Sequence, residues 1–350
     1  MPLLVDRGAD GCHILAGPDS QTISRHPKGG EWIEIGLVNN TPEAALDGTE
    51  QQFLALLGAA AGDSWVHLRF FQLSSVPRSE RARRRLARPY LDLEHVADLD
   101  GLIVTGAEPK TARLNDEPYW EAFTRLVDWA EQNTLSTIWS CLASHAAVLH
   151  LDGIERIPLP DKRFGLFDCE RAADHPLLAD LPPRSIVPHS RWNDLSEAAL
   201  AANGYLVLMR SPAAGVDTFV LQRQSLFVFF QGHPEYDGRS LANEYRRDVG
   251  RFLCGERERY PRVPEHYFDN ATAQAFAEFE RRASADRREA LMGEYPTAGT
   301  GLSAPPAWHP FATGIYRNWL TYLSAQKRQL LQPAEYLASL RLDKLPAQAI

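Results

Sequence analysis

The first sustained apolar run, Ile33-Glu34-Ile35-Gly36-Leu37-Val38, ends at Asn39-Asn40-Thr41-Pro42, which predicts a short strand stopped by turn residues. Thr49 to Ala60 switches to helical spacing, with Phe53, Leu54, Leu56 and Leu57 on one side. Trp65 to Leu73 predicts a second strand, and Gly101 to Gly106 a buried one ending in glycine. An amphipathic helix is expected over Glu117 to Asn133, with Trp120, Phe123, Leu126, Val127 and Trp129 on its apolar side. Ser136 to Cys141 is another strand, running directly into the small-residue helix start Leu142 to Ala147. Later strands are expected at Tyr205 to Met209, Thr218 to Gln222 and Ser225 to Gln231. Strand and helix alternate through residue 150, which predicts an α/β fold: a mostly parallel sheet flanked by helices.

Around this unit, expected at 32–268, the remaining segments differ in texture. Residues 1–31 are turn-rich and read as an irregular N-terminal arm. The basic stretch Arg78 to Arg88 reads as a solvated helix face. Residues 269–307 form an insertion, with a charged, Ala-rich helix over 271–294 and a Gly/Pro/Ala linker over 296–307. In 308–350, aromatic residues from Trp308 to Leu331 recur at near-helical spacing and predict a helix docked on the core.

Composition narrows the function. The chain has 350 residues, 44% of them hydrophobic and 23% charged, enough for a sizeable core. With 37 Lys and Arg against 45 Asp and Glu, the net charge is −8, which argues against a nucleic-acid partner while allowing a local basic pocket. Cys12, Cys141, Cys169 and Cys254 form no CxxC pair, so neither a zinc knuckle nor a disulfide framework is expected. No apolar run reaches the length of a membrane span and the start lacks a signal-peptide layout, so the expectation is a cytoplasmic enzyme with free thiols.

Two places carry chemistry. Cys141 sits where a buried strand gives way to a helix. Such a turn lifts the side chain out of the sheet, and the helix N-terminus stabilises a thiolate and offers backbone N–H groups to an oxyanion. The flanking positions are Trp139 and Ala143, so the elbow pattern is only half matched, and a buried structural cysteine is the alternative. The second place is Gly232-His233-Pro234-Glu235-Tyr236-Asp237, which follows the strand Phe227 to Gln231. A histidine at a strand end with a carboxylate two residues on can form an imidazole base with its orienting acid.

These segments, in order, resemble the homoserine O-acyltransferases, which are similar in fold to class I glutamine amidotransferases, with flavodoxin-like layering. The resemblance covers Ile35 to Arg251 and Trp308 to Gln326. It rests on DGLIVTGA (Asp100–Ala107), NDEPYW (Asn115–Trp120), LSTIWSC (Leu135–Cys141), PLPDKRFGLFD (Pro158–Asp168), PHSRW (Pro188–Trp192), GHPEYD (Gly232–Asp237), LANEYRRDV (Leu241–Val249) and NWLTY (Asn318–Tyr322). It implies ping-pong transfer of succinyl or acetyl from an acyl-CoA to homoserine. Cys141 is the implied nucleophile, His233 the base, Glu235 its orienting acid, and the Leu142 N–H an oxyanion donor. Arg247 matches a position that binds the amino acid's carboxylate, and Lys162 and Ser190 match positions near the substrate. Acyl-CoA and a hydroxy amino acid are then the small-molecule substrates. No metal or resident cofactor is needed, and a homodimer is expected.

Two departures bear on specificity. Family members carry a Met-Pro-Lys-Lys type segment after the first strand, whereas this chain reads Asn40-Thr41-Pro42-Glu43-Ala44-Ala45-Leu46-Asp47, without lysine. Glu43 and Asp47 there are expected to alter the charge near the acceptor, which keeps serine or another hydroxy amino acid open as acceptor. The position that helps choose the acyl group aligns with Lys110, whose charge favours succinyl. A glutaminase-like hydrolase on the same fold, or a catalytically silent binding protein, are the competing readings.

Overall fold

The computed structural model describes residues 3–6, 12–15, 21–23, 32–87, 89–92, 98–296 and 306–342. Six strands pair in parallel through its centre: β13 (Leu226–Phe230), β8 (Ser136–Ser140), β7 (Gly101–Val104), β4 (Trp32–Val38), β5 (Trp65–Gln72) and β1 (Leu3–Asp6). Two-residue β6 (Leu91–Asp92) joins β5. Beyond β13 the sheet turns antiparallel through β12 (Gly215–Gln222), β11 (Leu206–Ser211), β9 (Ile157–Arg171) and β10 (Arg184–Asp194). Beyond β1 it continues as β2 (Cys12–Leu15) and β3 (Gln21–Ile23). The sheet thus has 13 strands, parallel at its centre with antiparallel wings.

Both faces of the central strands are covered because their side chains alternate. In β13, Leu226, Val228 and Phe230 enter one core, while Phe227 and Phe229 enter the other. The first core is closed by α1 (Leu46–Ala60) and α8 (His309–Leu342) through Phe53, Leu57, Tyr316 and Trp319. The second is closed by α3 (Trp120–Asn133), α4 (Leu142–Asp152) and α5 (Glu197–Ala202) through Phe123, Val127, Ala147 and Leu200. A third cluster joins α6 (Ser240–Leu253) to α7 (Asn270–Ala285) through Tyr245, Phe276 and Phe279.

Along α8, Phe311, Ile315, Tyr316, Trp319 and Leu323 pack into the first core. Trp319 is 1% exposed, and its indole N–H donates to Ser136 Oγ at 2.9 Å. Its ring lies so close to β7 that a Cβ on Gly101 would come within 2.9 Å of it. Trp319→Ala should therefore lower unfolding stability by about 3–5 kcal/mol through a cavity under the central strands. Urea unfolding measures this, and a loss under about 1 kcal/mol, the size of an ordinary point mutation, would show that α8 is peripheral.

Several expectations change. The arm at 1–31 is not irregular where it is described: β1 pairs in parallel with β5, and Leu3, Leu4 and Val5 are buried. Three apolar residues are too short a run to announce a strand, and burial beside β5 makes them one. The hairpin β9–β10 also went unread. Its prolines (Pro158, Pro160, Pro188) interrupt the pattern, and a wing strand needs no continuous apolar face. The helix read at 78–88 is α2 (Glu80–Leu86), and Arg78, before its N-cap, is half-buried. Its guanidinium donates to Thr41 O (2.9 Å) and Asn39 O (3.0 Å), pinning the loop after β4. The helix read over 271–294 is α7 followed by a 3₁₀ turn at Glu289–Glu294, and most of the linker read at 296–307 lies outside the described residues. Among the described residues no helix is long and apolar enough to cross a membrane.

Candidate active site

Cys141 links β8 to α4 with φ 52° and ψ −114°, a conformation L-residues rarely adopt. Its N–H donates to Phe230 O at 2.7 Å, so the neighbouring strand holds the turn. The loop after β7 packs directly on this elbow. A Cβ on Gly106 would lie 2.5 Å from Leu142 Cβ and 3.0 Å from Leu142 N, so only glycine fits. Among the described residues the amides of Leu142, Gly106 and Ala107 donate to no protein acceptor. Two loops thus bring free N–H groups beside one thiol, which suits an oxyanion.

His233 arrives from the adjacent strand. β13 runs parallel to β8 with Phe230 opposite Ser140, so both strands end at the same edge of the sheet. The chain beyond β13 is clamped: Gln231 N–H donates to Asp217 O (2.8 Å), Gly232 N–H to Asp217 Oδ1 (3.2 Å), and His233 N–H to Pro188 O (2.8 Å). His233 Nδ1 lies 2.7 Å from Glu235 Oε1, leaving Nε2 for the Cys141 thiol. The imidazole also stacks on Tyr236, centroids 4.1 Å apart. Burial disfavours the imidazolium, but Cys141 first and Glu235 next, by charge and by hydrogen bonds, outweigh it and hold the His233 pKa well above its ordinary value. The local pair seen in the sequence and the elbow cysteine are therefore brought together.

They open onto a cavity of about 1070 Å³, above the usual size for one small ligand and roomy enough for two substrates. One wall is a charge cluster centred on Glu244, which sequence reasoning missed although it lies within LANEYRRDV. Glu244 accepts from Lys162 Nζ (3.2 Å), Ser190 Oγ (2.5 Å) and the Tyr236 hydroxyl, with Arg247 Nη2 at 3.5 Å. Burial would raise its pKa, but Lys162 foremost, with the Ser190 and Tyr236 hydroxyls and Arg247, lowers it to about 2. Asp248 pairs with Lys162 (3.1 Å), Arg257 (3.2 Å) and Arg247 (3.5 Å). Lys162 and Ser190 are thus committed to Glu244, whereas Arg247 keeps a buried Nε without a partner.

The two departures resolve differently from expectation. Glu43 turns away to the Ser79 hydroxyl (2.8 Å) and Asp47 pairs with Arg85. Both acids are taken up by α2 and its cap, so the cavity wall after β4 is Thr41, Pro42, Ala44 and Ala45, without charge. Lys110 is exposed and absent from the cavity wall, where Glu108 and Pro109 stand instead. Its backbone N–H caps Glu117 Oε1 at 2.7 Å, which fixes the loop and points the expected specificity side chain outward.

Cys169, His189 and Asp217 form a buried group of potential metal ligands within 4.8 Å of one another. Arg191 Nε donates to His189 Nδ1 at 3.3 Å, which places the imidazole proton on Nε2, facing Asp217 Oδ1 at 3.3 Å. A protonated nitrogen cannot ligate, and burial pushes the Cys169 thiol up and the Asp217 carboxyl up to about 6. The donor set suits a buried polar support, with Asp217 holding the Gly232 and Gln231 amides, better than an ion.

The family profile described as Homoserine O-succinyltransferase matches residues 18–330. A homoserine O-succinyltransferase of Methylorubrum extorquens is 51% identical over 294 residues, covering 83% of this chain and 87% of that protein. One of Rhodopseudomonas palustris is 52% identical over 296 residues, covering 84% and 89%. Among solved structures, a glutamine amidotransferase of Methylobacillus flagellatus is 15% identical, covers 84% of this chain and 96% of its own, and has a TM-score of 0.47. With its profile matched across the sheet, the elbow and the charge cluster, the chain belongs to the homoserine O-succinyltransferase family.

Proposed function

We propose that this protein transfers the succinyl group of succinyl-CoA to the hydroxyl of L-homoserine through an acyl-cysteine on Cys141. The observation that carries the reading is the convergence of the strained Cys141 elbow and the His233–Glu235 pair at one end of a cavity walled by Glu244 and Arg247. The Cys141 thiolate, paired with the His233 imidazolium, attacks the thioester carbonyl carbon. The amides of Leu142 and of Gly106 or Ala107 take the oxyanion, and as the carbon–sulfur bond to CoA breaks, His233 gives its proton to the departing thiolate. Acylation removes the thiolate charge that holds the imidazole protonated, so His233 is left as a neutral base. It then takes the acceptor's hydroxyl proton as that oxygen attacks the acyl-cysteine, and the Cys141 thiolate is restored beside the imidazolium.

An amino acid presents a carboxylate and an ammonium at fixed separation. Arg247 suits the carboxylate by a charge-assisted contact, and Glu244, ionised at neutral pH, suits the ammonium. Acetyl-CoA and succinyl-CoA, each against homoserine and serine and read by thiol release, test the assignment. Release that requires succinyl-CoA and homoserine is expected. Release with serine instead would move the acceptor assignment, and glutamine hydrolysis without CoA chemistry would replace transfer by amide cleavage.

A further inference from the structure

The cavity wall holds two polar groups that the chemistry above leaves idle, one in the first turn of α4 and one between α4 and β9. His145 is 3% exposed, lines the cavity one helical turn beyond Cys141, and has a buried Nδ1 without a hydrogen-bond partner. Burial, with the nearby charges of Arg191 and Arg156, brings its pKa down to about 3, so the ring is neutral. Arg156 lines the same cavity and uses Nη2 to hold Ala112 O at 3.1 Å, while its Nη1 is buried without a partner. Among the described residues Arg156 forms no ion pair, and Tyr119, Glu117 and Glu155 act on it only at longer range. The other partly buried cations of the cavity pair with carboxylates: Arg251 with Glu108 (2.7 Å), Arg257 with Asp248 (3.2 Å), Arg191 with Asp194 (3.0 Å), Lys162 with Glu244 (3.2 Å), and Arg247 with Glu244 and Asp248 (both 3.5 Å), although its Nε keeps no partner. Arg156 therefore presents a buried Nη1 without a partner to the cavity, and among the described residues no carboxylate pairs with it directly.

Resting on the acyl-transfer reading, we infer that Arg156, with His145 beside it, receives the distal carboxylate of a dicarboxylic acyl group whose carbonyl carbon is bonded to Cys141. Reach selects this anion. His145 lies one helical turn beyond Cys141, about 6 Å away, comparable to the span from a succinyl carbonyl to its far carboxylate. Arg156 lines the same cavity close enough for its charge to act on His145. The diphosphate of the donor is separated from the thioester by the whole pantetheine arm and falls outside that reach. The acyl-specificity role expected of Lys110 passes to Arg156, since Lys110 is not on the wall. Arg156 is then a specificity residue, not a general anchor for CoA.

The test is the rate of Cys141 acylation by succinyl-CoA against butyryl-CoA, which has the same acyl length with a methyl in place of the carboxylate. Wild type should prefer succinyl. Arg156→Met should lower the succinyl-to-butyryl ratio by about 10- to 100-fold, the range for a lost charge-assisted hydrogen bond, and Arg156→Lys should recover part of it. A wild-type ratio near one, or a ratio unchanged by both substitutions, overturns the inference. The wild-type comparison and Arg156→Lys decide it if Arg156→Met does not fold. Absence of any Cys141 adduct in the wild type would overturn the acyl-transfer reading itself, whereas an adduct whose donor preference ignores Arg156 overturns this inference alone.

Discussion

Cys141→Ala should reduce acyl-enzyme formation and CoA release to background, a loss of about 10⁴-fold or more. The elbow holds the thiol against the His233 imidazole and beside the free amides, and neither other described thiol is a substitute. Cys169 is fully buried with its thiol pushed up by desolvation, and Cys254 is exposed at the C-terminal end of α6. Cys141→Ser keeps the geometry but replaces a thiolate by a hydroxyl that ionises far less readily, so transfer should fall nearly as far. Intact mass spectrometry after exposure to succinyl-CoA reads the result directly. An adduct persisting in Cys141→Ala would place the nucleophile elsewhere.

Glu235→Gln should lower kcat by about 10²- to 10⁴-fold with little change in fold, as replacement of the orienting acid does in hydrolytic triads of the Ser-His-Asp kind. Glu235 holds His233 Nδ1 at 2.7 Å and contributes to the raised pKa of the ring, second to Cys141 among the groups that raise it. In the proposed transfer, His233 keeps its proton until pH climbs through that raised pKa, which should set the alkaline limb of acylation. Removing the carboxylate removes one of its supports, so the His233 pKa falls and the alkaline limb moves to lower pH. A merely structural role would reduce the rate without moving the limb. A pH profile of kcat/KM for the acyl donor distinguishes the two.

The geometry around Cys141 and His233 also explains why the site was only half legible. The strand–turn–helix at Cys141 and the His-x-Glu pair are local, and local patterns survive in a linear reading. The contact between them depends on parallel pairing of β8 with β13, which brings Ser140 opposite Phe230. No periodicity reports which strands become neighbours. Glu244 was missed for a related reason: a carboxylate on an amphipathic helix looks like solvated charge until Lys162 of β9 and Ser190 of β10 are found against it.

The loop after β4 shows the opposite error. Glu43 and Asp47 stand where the family carries lysines, and reading them in line suggested a change of charge at the acceptor. In three dimensions Ser79 and Arg85 draw them off, and Arg78, read as part of a solvated face, pins the loop backbone. Lys110 was assigned by alignment, but Glu117 caps its loop and turns the side chain outward. In each case the residue type was read correctly, while its direction was set by a partner distant in the chain.

What the sequence determined by itself was the α/β class, and it singled out Cys141 at a strand–helix junction, the His233-x-Glu235 pair and a C-terminal helical segment as local patterns. Each follows from hydrophobic period or from residues a few positions apart, where covalent geometry limits the choices. Only the tertiary structure decided that the N-terminal strand extends the sheet, that β9 and β10 form a wing, and which cavity charges are paired. Strand neighbours and ion-pair partners are chosen by burial and electrostatics among residues far apart in the chain. That is why Arg156, inconspicuous in the sequence, emerges as the partly buried cavity cation without a carboxylate partner among the described residues.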